Sequence, residues 1–207
     1  MKKKGYFITF EGIDGCGKTT QLKLAEQYLR SKKLPVLVLR EPGSTPFSEK
    51  IRKILLNGNL QIGSISELML YVAARAELVE KVIVPALRKG KIVLCDRFFD
   101  STTAYQGYGR GIDVASIDRI HRLSVGKWRP HLTFLIDVDY KTSLTRRKKT
   151  ADRLESESRS FFGKVRTGFL KIAAGEPERF MVLDGRKSVD SIFDEVRRCL
   201  RSRLKIK

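Results

Sequence analysis

The sequence predicts an α/β three-layer fold, a five-stranded parallel sheet covered by helices on both faces. Three observations predict it. Short apolar runs alternate along the chain with longer segments of helical periodicity. The runs are continuous rather than polar on every second residue, as strands buried on both faces must be. The chain has 207 residues, 42 % of them apolar, enough for one core without disulfide or metal staples.

Taken in order, residues 6–10 are a β-prone run stopped by Gly12. Leu22, Ala25 and Leu29 share one face of a helix over 19–29. An aliphatic strand over 36–39 follows Pro35, and Ile51, Ile54 and Leu55 mark a helix over 47–56. A long helix is expected over 67–87, bent or broken near its end by Pro85. Strands are expected over 92–95, 132–138 and 180–183. Helices are expected over 114–123, 142–149, 159–174 and 189–204.

Composition removes several function classes. No window is long and apolar enough to span a membrane. Lys2–Lys4 resemble the start of a signal peptide, but Glu11 follows too soon for an apolar h-region. Three scattered cysteines, Cys16, Cys95 and Cys199, fit neither a disulfide framework nor a zinc cage, and point to reduced thiols in the cytoplasm. The net charge of +19 is compatible with a polyanionic partner. It is equally compatible with solubility and a local excess in Lys2–Lys4 and the C-terminal tail.

The first strand runs into Gly12-Ile13-Asp14-Gly15-Cys16-Gly17-Lys18-Thr19, which fits the G-x-x-x-x-G-K-[ST] phosphate loop. Glycines let the backbone N–H groups turn inward around phosphate oxygens, and the next helix adds its positive end. Lys18 carries a mobile charge to the outer phosphates, and the Thr19 hydroxyl is a Mg²⁺ ligand candidate. Cys16 is expected to be a small filler within the loop. No Asn/Thr-Lys-x-Asp guanine reader occurs. The strand over 92–95 ends in Asp96-Arg97, where a hydrolytic ATPase would carry two acids. Asp96 suits the magnesium hydration shell, and Arg97 suits a second phosphate held as acceptor. The expected fold is therefore that of a P-loop NTPase.

Other residues could face that acceptor. Arg40-Glu41-Pro42-Gly43-Ser44-Thr45 follows the second strand at the edge where α/β ligands bind, and Arg52 lies on the next helix. Tyr71 and Arg75 are four residues apart, on one helix face. By themselves they read rather as a core ring and a solvated charge. Ser101 to Gln106 is dense in side-chain donors and acceptors, in itself no more than a polar loop.

Together these stretches resemble the thymidylate kinase family, which phosphorylates dTMP with ATP. The resemblance is carried by FEGIDGCGKTT, LREPGST with EKIRKIL, LMLYVAARAELVEKVIVPAL, VLCDRFFDSTTAYQGYGRGI and DRLESES, in the family's order. It implies one nucleoside monophosphate kinase domain over 1–207, with residues 12–19 around the ATP phosphates. Asp14 would lie near the acceptor sugar and magnesium, and Arg97 and Arg52 would hold the dTMP phosphate. Tyr71 would stack on thymine, Arg75 would bond a thymine carbonyl, and Ser101, Thr102 and Gln106 would line the base pocket. Tyr105 would crowd a ribose 2′-hydroxyl. Gly15 stands where part of the family has a loop arginine, so the chain resembles the bacterial type whose catalytic arginine comes from a lid.

That lid is expected at about residues 146–155, where four consecutive bases precede a short turn. It is slightly shorter than the bacterial pattern, which leaves open whether Arg146, Arg147 or Arg153 reaches the transferring phosphoryl group. The resemblance further implies Mg²⁺, a homodimer and no nucleic-acid partner. Two rivals remain. A kinase for another pyrimidine nucleotide or a deoxynucleoside is one, and paired phosphate arginines argue against the nucleoside form. A nucleic-acid-binding ATPase is the other, against which stands the missing second acid after Asp96.

Overall fold

The computed structural model describes residues 5–146, 153, 154 and 156–206. Five strands form one all-parallel sheet: β1 (Tyr6–Glu11), β2 (Val36–Arg40), β3 (Ile92–Asp96), β4 (Leu132–Asp137) and β5 (Phe180–Asp184). Their order is β2-β3-β1-β4-β5, as a P-loop fold requires. The chain builds β2 and β3 on one side of β1, then β4 and β5 on the other. The carboxyl ends around β1 thus form the switch-point crevice where such sheets bind ligands.

The pleat divides the core between two faces. Ile8 and Phe10 of β1 join Leu94 and Phe134 against α1 (Lys18–Ser31) and α9 (Val189–Leu204), whose inward stripes are Leu22, Ala25, Leu29 and Ile192, Val196, Leu200. Phe7, Val93 and Cys95 point the other way, onto Leu78, Val79, Ile83 and Leu87. Each fully buried large aliphatic side chain contributes about 1.5–3 kcal/mol, and the paired stripes commit both faces to helices.

The remaining helices are α2 (Pro46–Leu56), α3 (Ser64–Leu78), α4 (Val84–Arg88), α5 (Phe99–Thr102), α6 (Val114–Val125), α7 (Tyr140–Arg146) and α8 (Arg159–Gly175). The structure corrects the expected helix over 67–87. α3 starts earlier, and a π-helical segment, Val79–Ile83, joins it to α4. Pro85 has no N–H and its ring crowds the carbonyl four residues back, so the wider π turn takes the strain that predicted a break. The polar stretch after Arg97 is also helical, α5 followed by a second π segment, Thr103–Gly109. Of the helix expected over 142–149, only the part within α7 belongs to the described residues. Among the described residues no helix is long and apolar enough to cross a membrane.

Candidate active site

The loop after β1 is shaped by its glycines. Gly12 has φ +137°, and a Cβ there would lie 2.5 Å from the Ile136 carbonyl oxygen, so only glycine fits. Gly17 has φ +98° and opens α1, which has no side-chain cap and no acid in its first turn. The helix end therefore presents its N–H dipoles toward an anion. Lys18 is buried, its Nζ 3.4 Å from Asp14 Oδ1. Buried Cys16 packs within the turn, its Sγ among the atoms a Cβ on Gly12 would strike, and burial pushes its thiol up. A broad cleft, about 1510 Å³ with its open mouth, runs from residues 15–21 to Arg146 and residues 185–189.

The Thr19 hydroxyl donates to Asp96 Oδ2 at 2.5 Å, which brings together the two residues singled out for magnesium. Among the described residues no three His, Cys, Asp or Glu side chains converge as a protein-only metal cage. One hydroxyl and one carboxylate, both hard oxygen donors, fit Mg²⁺, which keeps waters and takes phosphate oxygens rather than a full protein shell.

A second cleft, about 560 Å³ with its open mouth, lies at the ends of β2 and β3. It is lined by Asp14, Arg52, Tyr71, Arg75, Arg97, Ser101, Thr102, Tyr105 and Gln106, all expected, by Glu41 and Pro42 of the stretch expected to face the acceptor, and by Leu56, Phe98 and Leu154, which were not singled out. The β1–β3 register explains why residues so distant in sequence meet. Phe10 pairs with Asp96, and Arg97 N–H donates to the Phe10 carbonyl at 3.0 Å. Arg97 therefore leaves the sheet beside the phosphate loop.

Arg97 adopts φ +68°, a left-handed conformation costing a non-glycine residue about 1–2 kcal/mol. Its fork holds it there. Nη1 donates to the Gly12 carbonyl at 2.9 Å and Ser101 Oγ at 3.0 Å, and Nη2 donates to Asp14 Oδ1 at 2.6 Å and Tyr105 Oη at 3.3 Å. Tyr105 Oη donates in turn to Asp14 Oδ2 at 3.0 Å. Burial alone would raise the Asp14 carboxyl, but Arg97, Lys18 and the bonds from Arg97 and Tyr105 outweigh it and hold it far below the usual carboxylate range. Glu11, fully buried, fixes the same segment, accepting from Phe98 N–H at 2.7 Å and Ser101 Oγ at 2.6 Å. Burial, with Asp100 adding to it, pushes Glu11 up to about 8, against the pull of Arg97.

At the other end of this cleft Arg75 is 1 % exposed. Its Nε lies 2.6 Å from Glu41 Oε1, its Nη2 donates to Thr102 Oγ1 at 2.7 Å, and it stacks over Phe98. Among the described residues its Nη1 is buried without a hydrogen-bond partner. Arg52 Nη1 donates to the Pro42 carbonyl at 3.0 Å.

The two lid bases among the described residues do not come together. Arg146 belongs to the phosphate-loop cleft, with Nη1 donating to the Gly185 carbonyl at 2.8 Å. Arg153 reaches the opposite way, donating to the Leu55 carbonyl at 3.0 Å and to buried Glu67. Arg147 lies outside the described residues. Sequence reasoning missed Glu11 and Glu67, and it placed Glu41 near the acceptor without its pairing to Arg75. For Glu11 and Glu67 the available signal was an acid beside apolar runs, which must find a partner when buried.

A thymidylate kinase family model matches residues 10–196. A thymidylate kinase from Geobacter sulfurreducens is 50 % identical over 196 residues, covering 90 % of this chain and 92 % of that protein. One from Thermoanaerobacter pseudethanolicus is 45 % identical over 194 residues, covering 93 % and 96 %. The crystal structure of thymidylate kinase from Ehrlichia chaffeensis superposes with a TM-score of 0.81 at 39 % identity, covering 95 % of this chain and 99 % of that one. With a phosphate loop and an arginine-lined second cleft sharing one wall, and with relatives alike over nearly their whole length, the chain belongs to the thymidylate kinase family.

Proposed function

We propose that the two clefts hold the two substrates of one phosphoryl transfer, ATP along residues 12–19 and dTMP in the cleft between Arg75 and Arg97. The chain is a phosphotransferase that converts dTMP to dTDP. The observation that carries the division is the Arg97 fork. It bonds Gly12 and Asp14 of the loop and Ser101 and Tyr105 of the second cleft, so it stands where the two phosphate ends must meet.

The acceptor phosphate is already anionic and needs no strong base. Its enemy is repulsion from the donor, so catalysis rests on alignment and charge cancellation. Lys18 neutralises the outer donor phosphates, and Arg97 with Arg52 grips the acceptor phosphate. Thr19 and Asp96 would hold Mg²⁺, which when bound offsets charge on the donor phosphates. Asp14 orients Arg97 and reaches the acceptor sugar, beside which Tyr105 fills the place of a 2′-hydroxyl. Tyr71 stacks on the base, with Ser101, Thr102 and Gln106 around it. Arg75, fixed by Glu41 and Thr102, turns its unpartnered Nη1 to a base carbonyl.

The proposal extends to organisation. The chain is one domain with a lid over residues 146–155, from which one of Arg146, Arg147 and Arg153 reaches the transferring group. It acts as a cytoplasmic homodimer without a nucleic-acid partner. Ile65 and Met69, one turn apart and exposed on α3, support a partner face on that long helix. A coupled assay comparing dTMP, dUMP, UMP and thymidine tests the acceptor assignment. Preference for dTMP is expected, and preference for thymidine would overturn it. ATP hydrolysis stimulated by DNA without any acceptor would overturn the exclusion of nucleic acid.

A further inference from the structure

We propose that Glu67 is a positioning residue that fixes which end of the Gln106 amide faces the acceptor cleft, and so helps this kinase tell thymine from cytosine. The inference rests on the assignment of that cleft to the base of dTMP. Glu67 stands in the first turn of α3 and is fully buried, yet it does not line the cleft. Its Oε1 accepts from Gln106 Nε2 at 2.7 Å and from Arg110 Nε at 3.3 Å. Its Oε2 accepts from Arg110 Nη2 at 3.3 Å and from Arg153.

Burial alone would raise this carboxyl, but the bonds from Gln106, Arg110 and Arg153 prevail and hold it below its ordinary range. An ionised carboxylate has no proton to give. Only the NH₂ end of the Gln106 amide can face it, because the carbonyl end would set oxygen against oxygen. Gln106 is itself 1 % exposed and held in the π segment Thr103–Gly109, so its amide oxygen is the end left for the cleft it lines.

The cleft then offers a fixed donor, Arg75, and a fixed acceptor, Gln106 Oε1. Thymine carries the complementary pair along one edge, a C4 carbonyl and an N3–H. Cytosine carries the reverse, an amino group at C4 and a bare N3. An amide free to flip would meet either base. An amide locked by a buried anion meets one, and a mismatch strands polar groups out of reach of water.

The test is a double-mutant cycle of Glu67→Gln and Gln106→Leu, with steady-state kinetics on dTMP and dCMP. Glutamine at 67 donates as well as accepts, so it releases the lock. Glu67→Gln is expected to raise KM for dTMP about tenfold with kcat within about threefold, and to cut the dTMP-to-dCMP ratio of kcat/KM about tenfold. Gln106→Leu should cause a similar loss, and Glu67→Gln should add nothing to it. Additive losses would mean that Glu67 only supports the fold, and would overturn the inference. A changed Gln106→Leu beside an unchanged Glu67→Gln would also overturn it, while leaving the cleft assignment standing. An unchanged Gln106→Leu would overturn both. Should Glu67→Gln fail to fold, Glu67→Asp keeps the charge facing Arg110 and Arg153 but draws it back by one methylene. The same cycle read with it has the same deciding outcomes.

Discussion

The two clefts are built from different materials. The phosphate loop is backbone: glycines at positive φ, a bare helix end and one lysine within a single short stretch. The second cleft is side chains, assembled from the loops after β1, β2 and β3, from α2 and α3 and from the two helical pieces after Arg97, and held by charge pairs. A phosphate is nearly symmetric and satisfied by many N–H groups, so a local turn suffices. A base has a directional edge, so its site needs donors and acceptors fixed from several sides, each with its own partner.

Substitutions should expose that difference. The largest effect is expected from Lys18→Ala, which strips charge from the transferring phosphates. We expect kcat to fall about 10³-fold with KM for dTMP within about threefold, read by coupled assay. Arg75→Ala leaves the Glu41 carboxylate buried without its cation, and burial already pushes that group up to about 7 against the pull of Arg75. A loss of about 3–4 kcal/mol in urea unfolding is expected, because half of a buried pair is worse than none. Gly12→Ala should cost about 2–3 kcal/mol by the same measurement, through the φ of +137° and the clash with the Ile136 carbonyl.

Glu11→Gln sharpens the contrast through pH. Glu11 is pushed from 4.5 up to about 8 in the fold. The folded state therefore keeps a proton that the unfolded chain releases between those values, and the native protein loses stability as pH rises through that window. Glutamine has no such proton. The stability of Glu11→Gln relative to the native protein should thus improve by on the order of 4 kcal/mol from pH 5 to pH 8.5. A constant difference across that range would contradict the burial argument.

The same contrast explains what the sequence made legible. Residues 12–19 could be read one by one, since each acts through its own backbone freedom or the charge next to it. The strands could be read because doubly buried strands are continuous in apolar residues, and the structure pairs all five in parallel. Asp96 and Arg97 were legible from their place after a strand. Tyr71 and Arg75 were ambiguous alone, because one helix face does not reveal what packs against it. Glu41 could be placed by its position after the second strand, but its pairing with Arg75 was not legible, nor was Glu67 behind Gln106, since those partners come from other elements. The π turns were missed for a related reason. Their i to i+5 bonding leaves no period in the apolar pattern, and at Pro85 the residue usually read as a break is instead accommodated.

The central claim is that Arg97 belongs to the acceptor and the glycine loop to the donor. The most direct measurement is calorimetric titration of Arg97→Ala with dTMP and, separately, with ATP, beside the native protein. The account predicts dTMP affinity weakened about 100-fold and ATP affinity within about threefold. Unchanged dTMP affinity in Arg97→Ala would contradict it.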